Sequence, residues 1–400
     1  MIAEPPAPHA APPADPQAES FFDSTVPAGK GACHYTWDAR SEYIFALLVF
    51  TLSRFLEQQA QDVFEVAVKS RGEFQCSPER RAPILTDATV IYSIGGHLVA
   101  LCTDLDSWTV TVRSKHDITR LIVRLKSELK HGNPLRARHL QLLPDDGSFR
   151  AVLKPVPKTS FRDLVLDPRL VEDIFDNTIF QLKATHLNNG IIFHGEPGTG
   201  KSLACQAIIR EAVAEGFSCC FVIGAVKFSE LNQFLTDFLA PCVLIFEDID
   251  SFAGDRIDGD GGCNLADFLQ FLSGLTERNE QIIVIATTNY LDLLDKAVRN
   301  RPVRFNRKYH FARPGDSEID RLLDLYFGQE TLSPEHKRLC HGRDFSGAHI
   351  SELKRTAATL ARKKGHSEAA VFGEAVALVG EHFDAPDRRL GFAAGGSGKA

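Results

Sequence analysis

The stretch GEPGTGKS, residues 195–202, decides the fold of this 400-residue chain. It follows the apolar run 190–194, which predicts a strand, and it precedes the helical pattern SLACQAIIREAVAEG. Its glycines allow a tight turn in which successive backbone N–H groups point at phosphate oxygens. The helix that follows adds the partial positive charge of its N-terminus. In this setting the pattern G-x-x-x-x-G-K-[ST] predicts a phosphate-binding loop.

The residue types of this loop predict nucleotide binding. Lys201 is expected to reach the β- and γ-phosphates, and the hydroxyl of Ser202 is expected to bind Mg²⁺. The alternative, a purely structural glycine turn, is disfavoured by the strand before it and the helix after it. The predicted nucleotide-binding residues are Gly195, Glu196, Pro197, Gly198, Thr199, Gly200, Lys201, Ser202 and Leu203.

Short apolar runs alternate with helical stretches from Lys158 onward. This alternation predicts an α/β fold, with a parallel sheet and helices on both of its faces. After Pro314 only helical patterns remain, so we expect a separate α-helical lid. The predicted strands are 190–194, 219–223, 242–246, 281–286 and 308–311.

An acidic pair follows one of these strands. The segment PCVLIFEDID, residues 241–250, places Glu247 and Asp248 at the carboxyl end of a buried strand. Ligands gather at that edge in open α/β sheets, so the pair is expected beside the phosphate loop. Taken alone, the segment also fits a strand followed by an acidic turn.

A third signal lies in QIIVIATTNYLDLLDKAVRNRPVRFNRKYHF, residues 281–311. Asn289 follows a buried strand and can place its amide near a γ-phosphate and orient a water molecule. Arg299, Arg301 and Arg304 then crowd a short segment, which is costly unless an anion meets them. Taken alone, this segment also fits a basic surface loop.

The order of these signals resembles the AAA branch of the AAA+ ATPases, over about residues 158–385. The resemblance implies a P-loop NTPase core, in which helices sandwich a five-stranded parallel sheet, with a C-terminal α-helical lid. It implies ATP and Mg²⁺ as cofactors and Mg²⁺-dependent hydrolysis of ATP. It also implies a homo-oligomeric ring, for which a hexamer is one form, with ATP bound between subunits.

The resemblance assigns roles to single residues. Asn289 takes the sensor-1 position, and Arg301 and Arg304 match the arginine fingers offered to the γ-phosphate of a neighbouring subunit. The segment FSGAH, residues 345–349, resembles the turn that opens the lid helix facing the nucleotide. Residues 163–182 resemble the segment that runs beside the adenine.

The acidic pair departs from the family pattern. The usual ending is D-E, whereas this chain has Glu247-Asp248, an order similar to the mitochondrial Rieske-protein translocase branch. Aligned in this way, Glu247 takes the Mg²⁺ position and Asp248 the water-activating position. Because Asp is one methylene shorter than Glu, the water's placement is expected to differ by about an ångström, which affects the rate.

A second departure concerns the segment that carries the pore loop in the family. The segment between Gly224 and Val243 is short and has no aromatic–aliphatic–glycine triplet, with Phe228 the nearest candidate. The sequence therefore does not favour threading of a polypeptide. The lid turn at Ala348 and His349 also carries no arginine, as in many AAA proteins.

Two functions of different classes fit these features. The first is a ring ATPase that couples hydrolysis to remodelling of a macromolecular partner. The second is a nucleotide-gated scaffold or switch with little or no turnover. A protein is the favoured partner, nucleic acid is left open, and a membrane is not favoured. The tandem arginines and the helical lid disfavour a small-molecule kinase.

The N-terminal part of the chain has a different composition. Residues 43–52, YIFALLVFTL, are too short to cross a bilayer and predict a buried helix. Gly95-Gly96 separates two strand-like runs, which predicts a hairpin. The predicted organisation is a disordered Pro/Ala-rich tail over 1–37, an α+β domain for partner selection over 38–155, the ATPase core over 156–314, the lid over 315–385 and a flexible tail over 386–400.

One helix of the N-terminal domain is basic. Residues 117–130, DITRLIVRLKSELK, carry apolar side chains on one face and basic side chains on the other. A solvated helix face is the simpler interpretation. A contact with phosphate, a lipid headgroup or an acidic partner is the alternative.

Composition excludes several classes of protein. Apolar residues make up 44% and charged residues 24% of the chain, which excludes a wholly disordered, collagen-like or coiled-coil protein. A net charge of −7 disfavours global coating of a polyanion. The 9 cysteines form no C-x-x-C pair, which disfavours zinc and favours reduced thiols in the cytoplasm.

Overall fold

The computed structural model describes residues 33–77, 79–145, 148–184, 188–224, 226–250, 265–276, 281–291 and 305–384. The described strands form two sheets, one of five strands and one of seven. No helix of this part of the chain is long and apolar enough to cross a membrane.

The N-terminal sheet is antiparallel, with the strand order β1-β5-β4-β3-β2. Gly95 and Gly96 turn at φ +57° and +78°, and they join β3 to β4 in the predicted hairpin, which is thereby confirmed. The strands are β1 (Cys33–Asp38), β2 (Asp62–Ser77), β3 (Arg80–Ile94), β4 (His97–Asp104) and β5 (Thr109–Ser114).

Strand β1 lies within the segment for which the sequence predicts a disordered tail up to residue 37. Its residues pair with β5 over its whole length, from Cys33 opposite Ser114 to Asp38 opposite Thr109. Tyr35 and Trp37 also pack against the hydrophobic core. These two aromatic residues at alternate positions give the segment the apolar surface that a strand needs.

Helices α1 (Glu42–Gln59) and α2 (Thr119–His131) pack on this sheet and on each other. Ile44, Phe45 and Leu52 of α1 are fully buried, so the apolar run 43–52 is the predicted buried helix. In α2, Arg124 donates a hydrogen bond to Gln59 and lies over the ring of Phe55. Part of the basic face of α2 therefore attaches this helix to α1.

The second sheet has the strand order β12-β8-β11-β10-β9-β6-β7. Its five predicted strands are adjacent and parallel, which confirms the α/β class of fold. The strands are β6 (His139–Asp145), β7 (Ser148–Lys154), β8 (Asn189–His194), β9 (Ser218–Val222), β10 (Cys242–Phe246), β11 (Ile282–Thr288) and β12 (Arg307–His310).

Strands β6 and β7 lie on the N-terminal side of the domain boundary predicted at residue 155, but they pair with the sheet on its other side. Strand β6 pairs in parallel with β9, and β7 pairs antiparallel with β6, so residues 139–154 belong to the seven-stranded sheet. Leu140, Leu142 and Phe149 share one hydrophobic cluster with α1 and with strand β10. The alternating pattern of these residues predicts strands, but it does not indicate which sheet the strands join.

Helices cover the seven-stranded sheet and form the lid. The helix α3 (Pro168–Phe175) continues through a π-helical turn, Asp176–Phe180, into α4 (Gln181–Ala184). A second π-helical turn, Leu235–Leu239, follows α6. The remaining helices are α5 (Lys201–Ala214), α6 (Phe228–Phe234), α7 (Leu265–Thr276), α8 (Asp316–Phe327), α9 (Pro334–Arg338), α10 (Gly347–Lys364) and α11 (Glu368–Asp384).

The lid, α8 to α11, has a hydrophobic core of its own. Ile319 and Leu323 of α8 pack with Ile350 and Leu353 of α10 and with Phe372 of α11. These residues recur at helical spacing, as expected for amphipathic helices that bury one face. The lid is therefore stabilised by contacts among its own helices.

Candidate nucleotide site

Residues 195–202 form a turn that only glycine permits at several positions. Gly195, Gly198 and Gly200 have φ angles of +147°, +77° and +105°. A Cβ atom on Gly195 would lie 2.2 Å from the main-chain oxygen of Phe311, which follows β12. The loop therefore packs directly against the end of a strand, and α5 begins at once with Lys201.

Lys201 is held within the loop. Its Nζ donates hydrogen bonds to the main-chain oxygens of Gly195, at 2.7 Å, and Glu196, at 2.8 Å. Burial lowers the pKa of Lys201, while the charges of Asp248 and Asp250 act in the opposite direction. The loop thus holds a cation close to the carboxylates at the end of β10.

Asp248 and Asn289 meet at the carboxyl edge of the sheet. The Nδ2 of Asn289 donates to Oδ1 of Asp248 at 3.2 Å. The main-chain N–H of Asp248 donates to Oγ1 of Thr287 at 3.0 Å. Asp248 has a φ of +50°, a conformation that is uncommon for non-glycine residues. These contacts aim the carboxylate of Asp248 into the site.

Asp250 organises the same edge from the other side. Its Oδ1 accepts hydrogen bonds from Oγ1 of Thr288, at 2.7 Å, and from the main-chain N–H of Asn289, at 3.3 Å. Asp250 therefore fixes the end of β11, and with it the position of the Asn289 side chain. No local sequence pattern marks Asp250, because its contacts depend on the pairing of β10 with β11.

A cavity of about 670 Å³ lies over the phosphate loop. Its walls are residues 163–167, the loop itself, the ends of β10 and β11, helix α8 and the first turn of α10. Ser202, Asp248 and Asn289 line this cavity. A nucleotide fits a space of this size, since ligand pockets are typically about 300–1,000 Å³.

Part of the lining of the cavity is apolar. Leu166, Leu203, Leu322 and Tyr326 line it, and they come from three separate parts of the chain. Apolar side chains of this kind suit the flat faces of a purine base. Leu322 and Tyr326 are absent from the sequence analysis because helix α8 reaches the site only through the packing of the lid.

The remaining predicted residues are placed as follows. Glu247 is half-buried, and its charge, together with burial as the main cause, raises the pKa of the Cys205 thiol in α5. Ser202 and Glu247 supply the oxygen chemistry that Mg²⁺ prefers. Within the described residues no group of three or more His, Cys, Asp or Glu is placed to hold a metal ion. Arg301 and Arg304 lie outside the described residues.

Arg313 also lines the cavity and was not singled out from the sequence. Its Nε donates to Oε2 of Glu196 at 2.5 Å, and its Nη1 donates to the main-chain oxygen of Asp344. The one available sequence signal is its position three residues after β12, at the sheet edge where ligands gather.

The candidate for a pore-loop residue, Phe228, is packed against the core. Its ring stacks on Phe271 with 4.9 Å between centroids, and it also contacts Phe246 and Phe268. The N-terminal end of α6 is therefore anchored by aromatic contacts.

Comparison with known families agrees with this geometry. Residues 191–313 match the family described as "ATPase family associated with various cellular activities (AAA)". The matched segment runs from strand β8 through the phosphate loop and the carboxylate edge to Arg313. Residues 191–313 are therefore similar to an ATPase domain of the AAA family, a P-loop class that uses ATP and Mg²⁺, and the seven-stranded sheet is the ATPase sheet of that domain.

Curated relatives share this domain. The "ATP-dependent zinc metalloprotease FtsH 1" of Conexibacter woesei is 30% identical over 236 residues, 53% of this chain and 36% of the relative. The "ATP-dependent zinc metalloprotease FtsH" of Staphylococcus haemolyticus is 31% identical over 50% of this chain and 29% of the relative. "Protein CdcH" of Halobacterium salinarum is 31% identical over 46% of this chain and 26% of the relative. The chain thus spans about a third of these relatives.

Proposed function

We propose that this chain binds ATP with Mg²⁺ in the cavity, hydrolyses it, and uses the cycle to remodel a macromolecular partner as a ring of identical subunits. The observation that carries the proposal is the arrangement of Lys201, Asp248 and Asn289 around one cavity at the carboxyl edge of the sheet. The AAA match of residues 191–313 supports the same chemistry.

The loop residues bind the triphosphate. The backbone N–H groups of residues 198–202 surround the phosphates, and Lys201 exchanges its two carbonyl partners for phosphate oxygens. Ser202, which lines the cavity, and Glu247, beside Asp248 at the end of β10, would hold Mg²⁺, and the ion would supply positive charge that offsets the charge of the triphosphate. Burial lowers the pKa of Lys201 in the structure. The negative charge of a bound triphosphate would act in the opposite direction and favour the charged lysine.

Asp248 and Asn289 prepare the attacking water. The carboxylate of Asp248 accepts a proton or hydrogen bond from the water, and Asn289 fixes the direction of that carboxylate. Asp248 has a left-handed backbone conformation and lines the cavity. Arg301 and Arg304 of the neighbouring subunit stabilise the charge that develops on the γ-phosphate.

A protein is the favoured partner. The FtsH relatives are named as proteases, which act on proteins. The N-terminal sheet and helices α1 and α2 share one hydrophobic core with the ATPase sheet. Conformational changes in the ATPase core would therefore reach a partner bound to the N-terminal part through this shared hydrophobic core. The anchored Phe228 supports remodelling without threading of a chain past this residue.

The test compares two variants of the nucleotide site with a surface control. Lys201→Ala should lower the affinity for a fluorescent ATP analogue by about 100-fold or more, because a charge-assisted contact to phosphate is lost. Asp248→Asn should keep that affinity and lower steady-state phosphate release by about 10²–10⁴-fold. Lys363→Ala changes an exposed lysine of the lid and should alter neither quantity.

The same assay separates the two functions. A wild-type chain that binds ATP but releases no phosphate at any protein concentration would support the nucleotide-gated scaffold instead. A wild-type chain with no affinity for ATP in the presence of Mg²⁺ would refute both.

A further inference from the structure

Arg313 connects the phosphate loop to the lid. Its Nε donates a hydrogen bond to Oε2 of Glu196, the second residue of the loop, and its Nη2 forms an ion pair with the same oxygen. Its Nη1 donates to the main-chain oxygen of Asp344, which directly precedes the turn that opens α10. The hydrogen bonds of one guanidinium are therefore divided between the phosphate loop and the lid. Arg313 itself lies in the connection between β12 and the first lid helix, α8.

Glu196 is the point where the loop's internal contacts converge. Its main-chain oxygen accepts hydrogen bonds from Nζ of Lys201 and from Oγ1 of Thr199, both at 2.8 Å. Its side chain accepts the Arg313 contacts described above. The position of Arg313 is thus transmitted through one residue to the lysine that meets the phosphates.

The turn that Arg313 holds on the lid side lies against the same loop. A Cβ atom on Gly198 would come within 2.7 Å of both Oγ of Ser346 and Cβ of Ala348. A Cβ atom on Gly347 would lie 3.2 Å from the main-chain oxygen of Gly198. The first turn of α10 is therefore closely packed against the loop, and a small shift of the lid would change this contact.

We propose that Arg313 is a positioning residue that couples the position of the lid to the conformation of the phosphate loop. The inference rests on the proposed function, because it assigns a regulatory contact to the same nucleotide site. The lid turn of this chain carries Ala348 and His349 and no arginine. Arg313 brings a cation to this side of the cavity from the connection between β12 and α8.

The chemistry of the side chain explains why this position holds arginine. The planar guanidinium donates in several fixed directions, so it can bridge a carboxylate and a carbonyl at the same time. A lysine at position 313 keeps the charge but cannot hold both partners in this geometry. The pair with Glu196 is partly exposed, with 38% of the Arg313 side chain and 58% of the Glu196 side chain accessible. Its expected role is therefore to set geometry more than to stabilise the fold.

The experiment measures nucleotide affinity and turnover in the full-length chain. Arg313→Ala should weaken binding of a fluorescent ATP analogue by about fivefold to tenfold. Turnover at saturating ATP should fall by less than about twofold, because Lys201, Asp248 and Asn289 remain in place. Arg313→Lys should show the same loss of affinity as Arg313→Ala.

The partners of Arg313 provide the internal test. Glu196→Ala should weaken binding by a similar factor, and the double variant with Arg313→Ala should be no worse than either single variant. Glu196→Gln keeps an oxygen acceptor and should recover part of the affinity. Arg355→Ala, which removes an exposed pair with Glu352 on α10, is the matched control and should leave affinity unchanged.

Hydrogen exchange reports on the lid itself. Without nucleotide, the amides at the start of α10 should exchange faster in Arg313→Ala than in the wild type, while those of α5 should not. If the wild-type chain does not bind ATP, the proposed function is refuted, and the inference about Arg313 is refuted with it. If the wild type binds normally, unchanged affinity and exchange in Arg313→Ala would overturn the inference. Additive effects in the double variant would overturn it too, since Arg313 would then act independently of Glu196.

Discussion

At the scale of single residues, Gly198 shows how closely the site is packed. Its φ of +77° favours glycine, and its Cα faces Ser346 and Ala348 of the lid. Gly216, which follows α5, has a similar φ of +86° but no atom within 4 Å of an added Cβ. Substituting each glycine by alanine therefore distinguishes the effect of backbone strain, which both positions share, from the effect of a steric clash, which occurs only at Gly198.

We expect Gly198→Ala to weaken ATP binding by about tenfold or more, and Gly216→Ala to leave it nearly unchanged. Both variants should lose about 1–2 kcal/mol of unfolding free energy, because both place a Cβ atom at a positive φ. Only Gly198→Ala also pushes the lid turn away from the loop. Nucleotide titrations and denaturant unfolding of the two variants measure this difference. Equal affinities would show that the loop and the lid do not need this contact.

The residue scale also shows where sequence reasoning works. The positions of Lys201, Asp248 and Asn289 follow from a local pattern, a buried strand followed by a polar turn, and the structure brings all three to one cavity. The role of Arg313 could not be predicted in this way, because its partner Glu196 lies 117 residues away in the sequence. No local pattern encodes a contact of that kind.

At the scale of elements, the β6–β7 hairpin changes the organisation of the ATPase sheet. The main-chain N–H of Ile223, just after β9, donates to the oxygen of Leu142, and β6 pairs with β9 from His139 opposite Cys219 to Leu142 opposite Val222. Without the hairpin, β9 would become an unprotected edge strand. The hairpin also covers apolar side chains that belong to the core shared with α1.

A chain that starts at residue 156 should therefore fail to fold as a soluble monomer, although the sequence analysis places a domain boundary there. It would lose Leu140, Leu142, Phe149 and Leu153 from the core, and each large buried side chain contributes about 2–5 kcal/mol. A chain that starts at residue 33 keeps all the described strands and serves as the control. Soluble yield and thermal unfolding measure the outcome. If the shorter chain unfolds cooperatively at a temperature close to that of the control, this prediction is wrong and the domain boundary lies at residue 155.

At the scale of the whole molecule, one hydrophobic core joins the N-terminal sheet to the ATPase sheet, while the lid has a core of its own. The N-terminal part and the ATPase sheet should therefore move together, and the lid should move separately. The cavity lies at the junction of these two bodies, where residues 163–167, the loop, α8 and α10 meet. Opening and closing of the lid is the motion that nucleotide binding is best placed to control.

The proposed ring predicts complementation between defective subunits. Lys201→Ala cannot bind ATP but still presents Arg304 to its neighbour, while Arg304→Ala binds ATP but lacks that arginine. Each variant alone should have little ATPase activity, since an arginine supplied by a neighbour contributes about 10³–10⁵-fold to the rate. Mixed in equal amounts, the two should regain a substantial part of the wild-type turnover in a phosphate-release assay. A mixture with only the sum of the separate activities would show that Arg304 does not act between subunits.

The sequence by itself determined the phosphate loop, the parallel strands and the polar residues at their ends. These features depend on backbone conformation and on alternation within short segments, which neighbouring residues control. Tertiary structure alone decided that β6 and β7 join the ATPase sheet, that α8 supplies part of the apolar lining of the cavity, and that Arg313 links Glu196 to Asp344. These contacts depend on strand order and on packing between distant segments, and a local pattern of residues is compatible with more than one such arrangement.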